Sequence, residues 1–253
     1  IKNNNMWQIA AGKFEKWPDN LNDFTMLDPC CGSGHFLVAA FNMLVAIRMK
    51  LEDLDVTTAE NLVIKQNIHG LELDGRCVEM AAFALAFAAW TYPESNGWRE
   101  LPKINVACCG KTIRTNRDEW MRLIKKQTDD TNKRLILENL FDVFKDAPAL
   151  GSLINPAAIK EKMGIFASWK EVWNIFTDLM ASADEDNQEI GISASGLADS
   201  AEILSNSYSL ILTNPPYRKL GDLSEKMFEF FTHNYDDAKR DIATVFIKRC
   251  LEL

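Results

Sequence analysis

Asn214-Pro215-Pro216-Tyr217 is the tetrapeptide with the most chemical content in this chain. Two prolines in succession after a strand, Pro215 and Pro216, make a rigid turn with no backbone donors of its own, so its carbonyl oxygens face outward. The side-chain oxygen of Asn214 and the carbonyl of Pro215 can then accept two hydrogen bonds from one amino group on an sp2 centre. Tyr217 adds a flat face on which a base can stack. This is the composition of an amine-holding clamp, although the same four residues in isolation also suit a plain structural turn.

A second constellation lies far upstream, at Asp28-Pro29-Cys30-Cys31-Gly32-Ser33-Gly34. A glycine-rich loop between a strand and a helix lets the backbone approach a ligand closely, and the helix start offers unpaired N–H groups to an anion. Phosphate-binding versions are narrowed by the sequence: G-x-x-x-x-G-K-[ST] is missing, and Leu37 stands where the third glycine of G-x-G-x-x-G belongs. A small ligand other than a dinucleotide or ATP is favoured. Between the two motifs, Gly70-Leu71-Glu72-Leu73-Asp74 ends an apolar segment in acids. An acid at the end of the second strand of a doubly wound sheet grips ribose hydroxyls, and Glu72 is the choice over Asp74.

Positioning these residues requires strands and helices in alternation. Phe24 to Asp28 reads as a short strand, and Phe36, Leu37, Ala40, Met43, Leu44 and Ile47 recur at helical spacing after the loop. Thr58 to Gln66 predicts a helix capped by Thr57 or Thr58, followed by a strand from Ile68 to Asp74. Val78 to Trp90 reads as a buried helix and Ile104 to Cys109 as a further strand. From about Arg114 to Ser205 the pattern is helical alone, clearest where Trp169, Val172, Trp173, Phe176, Leu179 and Met180 recur, with Ser182 to Gly196 read as a flexible acidic loop. Tyr208 to Thr213 restores a strand, and Asp241 to Leu253 is amphipathic. The expected fold class is α/β, a mostly parallel doubly wound sheet with a helical insertion. Its boundaries are 1–113 for the first core part, 114–205 for the insertion and 206–253 for the returning core.

With 253 residues and 47% hydrophobic content, the chain can bury a substantial core. No run approaches the roughly 18 apolar residues of a bilayer span, and Ile1-Lys2-Asn3-Asn4-Asn5 lacks the blocks of a signal peptide, so a cytoplasmic location and no membrane partner are expected. The missing initial Met and the apolar end at Leu253 suggest a piece of a longer polypeptide. Six cysteines accompany three histidines, without C-x-x-C spacing, so reduced, buried thiols are expected and no metal. The net charge of −8 is unfavourable for phosphate contacts, which a local basic surface or a separate recognition domain or subunit could supply.

Leu27 to Leu37, Gly70 to Asp74 and Leu212 to Tyr217, in this order, resemble the amino-methyltransferases of bacterial restriction-modification and phage-defence systems. Within them the chain is most similar to the adenine-N6 class, in particular the large single-chain methylases of type IIG enzymes and related defence proteins. The resemblance covers about residues 24 to 253. It implies a Rossmann-like, class I fold that binds S-adenosyl-L-methionine, with 1–113 as the cofactor-binding half. It also implies that Asp28, Pro29, Cys30, Gly32, Ser33 and Gly34 surround the methionine part of the cofactor, with Phe36 beside it, Glu72 on the ribose and Leu73 against the adenine ring. Asn214, Pro215, Pro216 and Tyr217 would form the catalytic motif. The partner implied is double-stranded DNA with the target adenine flipped out, since the base must leave the duplex to meet the methyl group.

Two features depart from the family pattern. After the third strand the family places an acid that holds the cofactor's adenine amine, whereas this chain has Cys108-Cys109-Gly110-Lys111. The family's upstream pocket segment is not recognisable in residues 1 to 23. Two other functions remain compatible with the clamp: a protein-glutamine or RNA amino-group methyltransferase, and a non-catalytic scaffold of the same fold.

Overall fold

The computed structural model describes residues 2–3, 6–7, 17–113, 115–157, 185–216, 224–239 and 241–253. The short strands β1 (Lys2–Asn3) and β2 (Met6–Trp7) pair antiparallel. The main sheet begins with β3 (Met26–Asp28), which leads into helix α1 (His35–Glu52). Helix α2 (Val56–Leu62) runs into a π-helical turn at Val63–Asn67 and then strand β4 (Ile68–Glu72). Helix α3 (Gly75–Thr91) and strand β5 (Asn105–Cys108) follow. Next come α4 (Arg117–Gln127), α5 (Thr131–Phe144), α6 (Ala147–Leu150) with a 3-10 turn at Gly151–Leu153, and α7 (Glu185–Ser205). Strand β6 (Leu210–Ile211), α8 (Glu225–Asn234) and α9 (Ile242–Glu252) complete the order.

The main sheet has four strands in the order β5-β4-β3-β6, all parallel. Its register pairs Asp28 with Gly70, Glu72 with Cys108 and Leu27 with Ile211. Side chains alternate across a strand. Met26 and Ile68 enter a core with Leu37, Phe41 and Val45 of α1 and Ala81 and Leu85 of α3, whereas Leu27, Leu71 and Ala107 enter another with residues of α4 to α9. Helices therefore cover both faces, as a parallel sheet requires. The helices between Arg117 and Ser205 share the second core with the sheet, since Trp120, Leu137, Leu197 and Ala201 belong to it.

Several local expectations change. Helix α2 starts at Val56, and its cap is Asp55, whose carboxylate accepts the Thr58 amide at 3.0 Å; the predicted Thr57 or Thr58 cap lies within the helix. Strand β4 stops at Glu72, because Asp74 accepts the Arg76 amide at 2.9 Å and caps α3. Residues 185–196, expected in a flexible acidic loop, belong to α7. Within that stretch Ser193 and Ala194 are buried, and further along the same helix Ala198 and Ala201 are buried and the Ser200 hydroxyl donates to the Cys108 carbonyl of β5 at 2.9 Å. The aromatic stripe Trp169 to Met180 and residues 182–184 lie outside the described residues.

Beneath the first face, a buried polar brace locks the approach to β3. Asn67 donates to the carbonyls of Leu21 at 2.7 Å and Phe24 at 2.6 Å and accepts from Arg48 Nε at 3.0 Å. Arg48 also reaches Leu21 O, Gln66 and Glu52. Asn67→Ala strands these groups without partners and is expected to cost about 2–3 kcal/mol, read by urea denaturation followed by circular dichroism. A loss below about 0.5 kcal/mol would show that the brace is dispensable.

Candidate active site

The site is built where the strand order reverses. Strand β3 lies between β4, reached through α1, and β6, reached through the long helical stretch, so their carboxyl ends diverge into a crevice. After β3, the Asp28 carboxylate accepts the Cys30 amide at 3.1 Å, and the chain turns through Gly32 at φ 53°. Open space surrounds the position of a Cβ at Gly32, whose need for glycine is conformational. Gly34, at φ 89°, is different: a Cβ there would stand 3.0 Å from Ala81 Cα, so this glycine lets α1 pack closely on α3.

The end of β4 is tied to this loop. Glu72 Oε2 accepts the Gly32 amide at 2.9 Å, and Oε1 accepts the amides of Leu73 at 2.7 Å and Asp74 at 3.2 Å. A carboxylate accepts about four hydrogen bonds, which leaves one position for a ligand hydroxyl. Leu73, 45% exposed, leans against Gly110 and Gly151, where a Cβ would stand 2.2 Å from Leu73 O and 2.9 Å from Leu73 Cδ1 respectively.

These elements enclose a cavity of about 850 Å3. Its lining joins Pro29, Cys30, Gly32, Glu72, Leu73 and Cys109 to Asn214 and Pro216. The remaining wall comes from Pro148–Leu153 and from Ser224, Met227, Ile242 and Phe246. The volume falls in the range of small-molecule sites, with mostly apolar walls and a few convergent polar groups. Of the sequence-predicted residues, Ser33 and Gly34 line a separate apolar groove of about 870 Å3 between α1 and α3. That groove is lined by α1 and α3, whereas the 850 Å3 cavity joins the glycine loop and Glu72 to the Asn-Pro-Pro turn and is the candidate site. Phe36 is 38% exposed and lines neither, Pro215 is half-buried beside the cavity residues, and Tyr217 lies outside the described residues.

Sequence reading missed the Pro148–Leu153 wall. Asp146 before a helix with Pro148 in its first turn, and Gly151 just past its end, was the available signal for a short capped helix, but nothing in it pointed to a ligand. Cys109 occupies the wall near the place of the family's acid, and burial pushes its thiol well above the ordinary range. Burial and then the Glu72 charge push the Cys30 thiol up to about 12, so both remain protonated.

The cavity fits S-adenosylmethionine in kind: it has an acid with one free acceptor position, an apolar residue beside it and a loop that keeps its backbone open. A parallel α/β sheet with such a cavity at its switch point defines a Rossmann-like ligand-binding fold. Comparison with known sequences narrows the class: the family described as MmeI, DNA-methyltransferase domain, matches residues 4–243, and the chain belongs to this family. Among curated proteins, it is 25% identical over 249 residues to the adenine-specific methyltransferase BrxX of Escherichia coli O9:H4 (strain HS), covering 90% of this chain and 20% of that protein. It is 22% identical over 253 residues to the adenine-specific methyltransferase PglX of Lacticaseibacillus casei (strain Zhang), covering 92% of this chain and 19% of the relative. The chain thus spans about a fifth of the length of these relatives.

Asp28 is 1% exposed, and burial pushes its carboxyl from 3.8 up to about 6, the Glu72 charge adding to the rise. The Thr213 hydroxyl, buried without a well-formed hydrogen bond, and the Cys30 amide pull it back. Because the folded value is raised, the carboxylate destabilises the fold once ionised: the penalty is absent below 3.8 and complete above about 6. Asp28→Asn is therefore expected to gain stability relative to the parent as pH rises through this window, by about 2–3 kcal/mol in all, and to level off above it. Urea denaturation at stepped pH measures this, and a difference independent of pH would remove the assigned shift.

Proposed function

We propose that this chain is the catalytic part of an S-adenosylmethionine-dependent methyltransferase acting on N6 of adenine in DNA, within a restriction-modification or phage-defence system. The observation that carries the reading is the single cavity lined by Gly32, Glu72 and Leu73 on one side and by Asn214 and Pro216 on the other. Membership of the MmeI DNA-methyltransferase family and the adenine specificity named for both relatives support it.

Within this reading the cofactor, when bound, supplies an electrophilic methyl group on sulfonium. Glu72 would hold the ribose hydroxyls, Leu73 would pack against the purine, and the Asp28 to Gly34 loop, with Phe36 nearby, would surround the methionine part. The Asn214 side-chain oxygen and the Pro215 carbonyl would accept hydrogen bonds from the two N–H groups of the target amine and so would hold its nitrogen in place for methylation. Pro216 would keep the turn rigid, and Tyr217 would offer its ring to the extruded base. Catalysis is then chiefly positioning.

The net charge of −8 supports phosphate contacts from a recognition domain or specificity subunit outside these residues. No helix among the described residues is long and apolar enough to cross a membrane. The proposed site of action is the cytoplasm, where the DNA substrate lies.

The test is transfer of labelled methyl to duplex DNA by the protein at its natural full length, followed by nucleoside digestion for N6-methyladenine. Asn214→Ala is expected to lower kcat by about 100-fold or more while cofactor affinity, read by calorimetry, stays within about threefold. Label in protein or RNA rather than DNA would replace the substrate in this reading, and binding without transfer to any acceptor would favour a scaffold.

A further inference from the structure

Arg249 lies in α9, one turn beyond Phe246, which lines the cavity, and only 1% of it is exposed. Its guanidinium is divided among separate segments. Nη2 donates to the carbonyls of Ile154 at 3.1 Å and Leu204 at 3.0 Å, Nε to Ser152 O at 3.4 Å, and Nη1 to Glu252 at 3.3 Å. Ser152 and its neighbours Gly151 and Leu153 form the wall facing Glu72 and Leu73. Glu252 in turn accepts from Asn155 at 3.1 Å and from the Tyr235 hydroxyl at 3.4 Å. The same helix is tied to the start of β6 by the Tyr208 amide donating to Leu253 O at 2.7 Å.

Resting on the methyltransferase reading above, we propose that Arg249 is a positioning residue for the cofactor: it sets the Gly151–Ile154 turn against Leu73 and Cys109 and so shapes the purine end of the cavity. The wall lacks the acid that the family pattern would place after β5. Recognition there falls to shape, and shape depends on where this turn is held. Gly151 is under close constraint, at φ 52° with the position of a Cβ 2.9 Å from Leu73 Cδ1 and 3.4 Å from Cys109 Sγ. A small displacement of the turn therefore opens or crowds the Leu73 wall. A guanidinium fork can serve several carbonyls at once, whereas a lysine ammonium is a point donor on a flexible stem.

The experiment uses the protein at its natural full length, with S-adenosylmethionine titrated by calorimetry and thermal denaturation as a check on folding. Arg249→Lys is expected to weaken cofactor binding and raise its KM by about tenfold, which is about 1.4 kcal/mol, while kcat at saturating cofactor changes less than about threefold. Arg48→Lys makes the same exchange in the buried brace of the other core. It is expected to lower thermal stability with cofactor affinity unchanged, which separates shaping of the cavity from general loss of stability. Gly151→Ala crowds Leu73 without touching the brace and is expected to weaken binding likewise, keeping the idea testable if Arg249→Lys does not fold. Parent-like binding by Arg249→Lys, or by Gly151→Ala where the lysine variant is unfolded, overturns the proposal, as does an equal weakening by Arg48→Lys. A parent protein that binds no cofactor overturns the methyltransferase reading itself and this inference with it.

Discussion

Parallel pairing of β3 with β4 on one side and β6 on the other is the constraint on which the site depends. In a parallel sheet every carboxyl end points the same way, so each strand delivers the residues that follow it to one edge. Asp28, Glu72, Cys108 and Ile211 all end their strands there, and the segments after them meet at the cavity although 185 residues separate hydrogen-bonded partners such as Leu27 and Leu212. Reversal of strand order at β3 opens the crevice between the glycine loop and the Asn-Pro-Pro turn. Neither motif has a partner without it.

Covering both faces of that sheet shapes the cavity. On one side, α1 and α3 approach closely because Gly34 lacks a side chain, and this fixes the entry of the loop into α1. On the other, the helices from α4 onward bury the sheet and bring the Pro148–Leu153 turn to its edge. The long helical stretch is thus part of the support of the site. Residues 185–196, whose composition suggested flexibility, continue into the part of α7 where Ser200 bonds the Cys108 carbonyl of β5.

Two buried arginines anchor the chain where regular structure cannot. Arg48 joins the segment before β3 to the π-helical turn before β4, and Arg249 joins the cavity wall to the last helix and the end of α7. Arg249 serves the carbonyls of Ser152, Ile154 and Leu204, and Arg48 serves the Leu21 carbonyl together with the Asn67, Gln66 and Glu52 side chains, so removing either leaves buried polar groups short of partners. The Glu72 carboxylate does the equivalent at the site, accepting three amides.

What the sequence determined by itself is local chemistry. Pro215 and Pro216 remove donors from the turn, Gly32 permits a positive φ, and alternation of apolar runs predicts strand, helix and parallel sheet, because these effects act within a few residues. Glu72 and Leu73 were legible as a strand-end pair in the same way. Tertiary structure alone decided that Ser33 and Gly34 face another groove, that Phe36 lines neither cavity, that Asp74 caps a helix, that residues 185–196 are helical and that Gly151, Ser152 and Cys109 complete the wall. The physical reason is that side-chain direction and adjacency depend on sheet register and helix packing, which couple residues far apart in the chain, while propensity and turn chemistry report only on neighbours.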